Sequence, residues 1–87
     1  MSGNKKPAAL DKYVGERLRI LRDARSLSQT DLGLGMGVTF QQVQKYETGT
    51  NRIGAARLMR AAKTLKVPIT AFFDGGPGVG DKDLYKQ

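Results

Sequence analysis

Apolar residues recur along this chain at helical spacings, in short stretches set apart by glycine, serine or proline. Val14, Leu18 and Leu21 fall at i, i+4 and i+7, which predicts one buried stripe on a helix over residues 11–25, with Asp11 at its N-cap. Leu58, Ala61, Ala62 and Leu65 predict another stripe on a helix over residues 54–65, with Arg57, Arg60 and Lys63 turned outward as solvating charge. Lys66, Val67 and Pro68 interrupt that pattern. Pro68 suits the first turn of a short last helix over residues 69–73, where Ile69, Phe72 and Phe73 either close the core or, for one phenylalanine, face a second subunit.

Between these stripes, residues 29–46 carry the spacing of two short helices joined by a tight turn. Ser28 followed by Asp31 reads as a capping box that starts one helix at Gln29. Gly37 permits the left-handed backbone that ends this helix, and Gly33 lets the next helix come close. Thr39 caps that next helix, which runs to about Thr48 and stops at Gly49. Leu32, Val38, Val43 and Tyr46 supply the apolar corner, so the arrangement is a helix-turn-helix. Gly33 and Gly35 each cost about 1 kcal/mol relative to alanine inside a helix, so the first helix of the pair depends on its neighbours.

The second helix of the pair has two unlike sides. Val43, Tyr46 and Glu47 point inward, while Phe40, Gln41, Gln44, Lys45 and Thr48 share the opposite side with Gln42 at its flank. Glutamine amides pair with adenine N6 and N7, lysine donates to guanine O6 and N7, and Phe40 or the Thr39 methyl suits a thymine methyl. Phe40, Gln41, Gln42, Gln44 and Lys45 are therefore candidate base contacts. Gln29 and Thr30 stand where a helix N-terminus offers unpaired N–H groups to a phosphate.

The segments VGERLRILRDARSLSQTDL, GVTFQQVQKYETG and RLMRAAKTLKVPITAFF resemble the DNA-binding domain of the phage-repressor and Cro class, the XRE-type regulators. The resemblance covers roughly two thirds of the chain, and Gly33 departs from it where the family usually has alanine. It implies an all-α, five-helix, lambda-repressor-like domain over residues 11–73, with a basic arm over residues 1–10 and a glycine-rich tail over residues 74–87. It implies a structural salt bridge between Arg22 and Glu47. It also implies phosphate contacts after the recognition helix at Asn51 and Arg52. Thr39 and Thr48, at the two ends of that helix, are further candidate phosphate contacts.

Composition narrows the function further. The 87 residues suffice for one domain, and the absence of cysteine and histidine removes disulfides, thiolate or imidazole metal ligands and the commonest catalytic base. No paired catalytic constellation is present, so neither an enzyme nor a cofactor or metal site is expected. No apolar run approaches the ~20 residues of a membrane span, and a cytoplasmic, nucleoid-associated protein is the expectation. The formal charge of +7 favours a polyanionic partner. Residues 11–73 hold eleven Lys or Arg against five Asp or Glu, while residues 74–87 hold two against three, so the positive excess belongs to the folded part.

The expected partner is double-stranded DNA with a palindromic operator, bound by a homodimer that places two recognition helices one helical turn apart. An alternative is an antitoxin or other protein-interaction module that also binds DNA. Leu84 and Tyr85 in the tail, and Lys5 and Lys6 in the arm, are further points of contact in these readings, with a protein and with phosphate respectively.

Overall fold

The computed structural model describes residues 9–77, and the arm and tail beyond them lie outside that range. Four α-helices form: α1 (Ala9–Ala24), α2 (Gln29–Met36), α3 (Phe40–Glu47) and α4 (Ala55–Leu65). A 3-10 turn, Ile69–Phe72, follows α4. The expected fifth helix is therefore corrected to a single tight turn. Pro68 is extended at its cap rather than inside its first turn, and Gly75 is left-handed, so only a few residues remain between them to close i to i+3 hydrogen bonds.

The caps follow local chemistry. Ser28 Oγ accepts from the Asp31 N–H at 2.9 Å, and the Asp31 carboxylate accepts from the Ser28 N–H at 3.1 Å. The Ser28 backbone N–H and then its side chain hold the Asp31 carboxyl below the ordinary carboxylate range. A carboxylate with a depressed pKa stabilises the fold fully above its ordinary value and loses that contribution as pH falls through the lower folded value. Ser28→Ala should cost about 1 kcal/mol in urea unfolding at neutral pH; an unchanged midpoint would show that the box does not hold α2. Gly37 sits at φ 78° and closes α2, and Thr39 Oγ1 accepts from the Gln42 N–H to open α3. The start of α1 differs from expectation. The helix begins at Ala9, and Asp11 lies in its first turn, where a carboxylate still favours the positive end of the helix dipole.

The core joins all five elements through Val14, Leu18, Leu32, Met36, Val43, Tyr46, Leu58, Ala61, Ala62, Leu65 and Phe72. Phe72 is fully buried, which places it in the core, while Ile69 keeps 38% of its surface exposed. Burying Phe72 gives the 3-10 turn its anchor. α2 packs on α3 and α4, and α1 packs on α3 and the 3-10 turn, so α3 is held from behind by two helices. At the end of the described chain the Tyr13 hydroxyl donates to the Asp74 carbonyl, and Gly76 is buried against the Tyr13 ring. Residues 74–76, read from sequence as the start of the tail, thus lie on α1.

Candidate nucleic-acid interface

α3 divides as its sequence predicts. Val43, Tyr46 and Glu47 are buried, whereas Phe40, Gln41, Gln44, Lys45 and Thr48 are exposed and Gln42 is half-buried at the flank. Phe40 retains 44% of its surface, so the ring is presented outward rather than absorbed into the core. The outer side of α3 therefore offers three amides, an ammonium group and an aromatic edge from one rigid element.

Behind that face stands a charge pair. Arg22 Nε lies 2.6 Å from Glu47 Oε2, and Arg22 Nη2 donates to Glu47 Oε1 at 3.1 Å. Arg22 Nη1 donates to the Leu27 carbonyl, and Gln29 Nε2 donates to Glu47 Oε1 at 3.0 Å. The hydrogen bond to Glu47 raises the Arg22 pKa above its ordinary value against the opposing effect of burial. Three elements meet at this one carboxylate: the end of α1, the start of α2 and the end of α3.

The candidate phosphate contacts are placed unequally. Gln29, half-buried at the start of α2, commits its amide nitrogen to Glu47, beside exposed Thr30. Thr39 Oγ1 accepts the cap hydrogen bond of α3, which leaves its hydroxyl proton to donate. Thr48 spends its hydroxyl on the Gln44 and Lys45 carbonyls and on Thr50 Oγ1. Asn51 is exposed in the loop that follows. Arg52 sends Nε to both Asp11 oxygens, at 3.1 and 3.2 Å, with its side chain 71% exposed. Asp11, read as a cap, is thus the group that orients Arg52.

Two features went unseen in the sequence. Arg19 of α1 lines an open groove of about 420 Å³ together with Gln29, Gln44, Lys45, Glu47 and Thr48, so α1 adds a cation beside the face of α3. Its only sequence signal was its place three residues before Arg22. Arg57 and Arg60, read as solvating charge, instead donate to carbonyls at the end of α2. Among the described residues, no cluster of His, Cys, Asp and Glu could hold a metal ion, and no helix is long and apolar enough to cross a membrane.

The profile of the family described as Helix-turn-helix matches residues 18–72, well over half of the chain. The chain belongs to the helix-turn-helix family. This helix-turn-helix chain is 48% identical over 80 residues to an uncharacterized HTH-type transcriptional regulator of Sinorhizobium medicae, covering 92% of the chain and 58% of that protein. It is 53% identical over 64 residues to an uncharacterized transcriptional regulator of Rhodospirillum rubrum, covering 74% of the chain and 59% of that protein. The chain therefore spans little more than half the length of these curated relatives. Among solved structures it is similar to a restriction-modification controller protein from Aeromonas hydrophila, with a TM-score of 0.68 and 31% identity, over 74% of this chain and 96% of that one. The P22 c2 repressor, solved with a synthetic operator, shares the fold, with a TM-score of 0.66 and 24% identity, over 71% of this chain and 94% of that one.

Proposed function

We propose that this helix-turn-helix chain is the sequence-reading part of a bacterial transcriptional regulator, with α3 seated in the major groove of duplex DNA. The observation that carries this reading is the outer side of α3, where Gln41, Gln44 and Lys45 stand exposed on a helix whose opposite side is locked by Val43, Tyr46 and Glu47. Amides on a fixed helix suit base edges, because each presents a donor and an acceptor in a set geometry. Phe40 shares that face and Gln42 flanks it. Affinity would come from cations and helix ends on phosphates, at Gln29, Thr30, Thr39, Thr48, Asn51 and Arg52, with Arg19 added.

A homodimer on a palindromic operator fits the short length of α3, since a single eight-residue helix reads only a few base pairs. Met59 and Ile69, exposed around a shallow depression with Ala62 and Lys63, are the apolar surface that a second copy would cover. A protein partner held by the tail falls on residues outside those described.

Selecting bound duplexes from a random pool at fixed salt tests this reading. A palindromic consensus with half-sites about 10 base pairs apart is expected; a pool that returns no consensus would remove the claim of sequence reading. On the selected duplex, Gln41→Ala should cost about 1 to 3 kcal/mol and relax preference at one base pair, while Arg52→Gln should weaken binding to every sequence and lower the salt slope by about one. Competition binding that leaves the Gln41→Ala selectivity untouched would count against the placement of α3.

A further inference from the structure

α2 is an unlikely helix to stand at the front of a reading device. It has eight residues, two of them interior glycines, a third glycine at its C-cap, and no basic residue in its last turn to meet the negative end of its dipole. The missing charge comes from α4. Arg57 Nη1 donates to the Met36 carbonyl at 2.9 Å, and Arg60 Nε donates to the Gly35 carbonyl at 3.2 Å. The Gly33 carbonyl meanwhile accepts from the N–H groups of Gly37 and Val38. The carbonyls of Gly33, Gly35 and Met36, at the end of α2, are thereby satisfied, two of them by arginine.

The glycines are what let the arginines reach. A Cβ at Gly37 would stand 2.8 Å from Arg57 Nη1 and 2.9 Å from Arg60 Nη1, so both guanidinium groups lie against the turn itself. A Cβ at Gly35 would stand 2.2 Å from Thr64 Oγ1, so α4 approaches α2 more closely than an alanine would permit. Thr39, the cap of α3, follows Gly37 by two residues. Whatever fixes the turn at Gly37 also fixes the direction in which α3 leaves it.

We propose that Arg57 and Arg60 are positioning residues for DNA recognition: they clamp the end of α2 and the turn, and so set the angle of α3 without touching DNA. The functional half of this inference rests on the reading of α3 given above. Arginine is suited to the task because its charge persists at all ordinary pH and its planar fork addresses carbonyl groups in a fixed geometry.

The test uses the full chain with Arg57→Gln, Arg60→Gln and the conservative Arg57→Lys and Arg60→Lys. Two readouts are taken, amide hydrogen exchange on the free protein and the ratio of affinities for selected and random duplexes across a salt series. In the glutamine variants the Gly37 and Val38 amides should exchange about tenfold faster while α1 and α4 stay protected, since a hydrogen bond to a charged group is lost at one place only. The affinity ratio should fall about tenfold with an unchanged salt slope, and lysine should restore part of both effects. Unchanged exchange at Gly37 and Val38 overturns the clamp whatever DNA does. A salt slope lowered by about one per arginine, with the ratio intact, would assign these side chains to phosphates instead. If the parent chain fails to discriminate duplexes, the reading of α3 falls, and exchange still decides the clamp.

Discussion

Replacing Glu47 with alanine should destabilise this domain by about 3 to 5 kcal/mol, the loss expected when one partner of a buried ion pair is removed. The Glu47 side chain is 3% exposed and the Arg22 side chain 12%, so the guanidinium left behind has little access to water. It has no means of shedding its charge, because an arginine stays protonated throughout the range in which the protein is handled. Glu47 itself raises the Arg22 pKa, and a raised pKa gives a contribution that is lost only as pH climbs through that raised value, far into alkali. Gln29 would lose its acceptor as well. Exchanging both charges for an apolar pair, Arg22→Met with Glu47→Leu, should cost less than Glu47→Ala alone, since no buried charge remains. Urea unfolding of Arg22→Met, Glu47→Leu and the double variant measures the coupling, with Glu47→Ala alongside. Additive losses would mean that the bidentate contact contributes little beyond its separate parts.

What was legible in the sequence was whatever depends on near neighbours along the chain. Ser28 with Asp31, Thr39, Gly37 and Gly49 mark ends and turns because caps and left-handed glycines act within three or four residues. The two sides of α3 were legible for the same reason, since helical period fixes which residues share a face. The pairing of Arg22 with Glu47 was not a matter of period. It came through resemblance, because 25 residues separate the two.

What stayed hidden depends on partners far along the chain. Helical spacing says that Arg57 and Arg60 leave the α4 core stripe, but nothing local says that the carbonyls of Gly35 and Met36 wait there, more than twenty residues upstream. Aspartate suits both a cap and a first turn, so the local pattern makes Asp11 a cap, and only Arg52, 41 residues on, shows what its carboxylate holds. The last segment looked helical from Ile69, Phe72 and Phe73, yet Pro68 before it and left-handed Gly75 after it leave room for one tight turn. The candidate site depends on these hidden contacts. The side chains that would read DNA are visible from the sequence, whereas the groups that aim them, on α1 and α4, are not.

Gly15 is the sharpest case, and Gly15→Ala should cost about 3 kcal/mol, at the upper end of overpacking losses. Alanine would gain about 1 kcal/mol in helix propensity within α1, so local reasoning predicts stabilisation. The opposing contact decides the sign. A Cβ at position 15 would stand 2.1 Å from the Tyr46 carbonyl oxygen and 3.3 Å from that of Glu47, and a backbone carbonyl has no rotamer by which to move aside. α1 and α3 would have to separate, opening the packing around buried Tyr46 and stretching the Arg22 to Glu47 contact two helical turns farther along α1. By contrast, a Cβ at Gly54 meets nothing within 4 Å, so Gly54→Ala should cost under about 1 kcal/mol, the cap preference alone. The displacement of α3 adds a second consequence. Gly15→Ala should lose discrimination between selected and random duplexes even at temperatures where it remains folded, although position 15 faces the interior. A variant as stable and as selective as the parent would show that α1 does not set the seat of α3, and the placement of α3 would then have to come from α2, which α4 holds from behind.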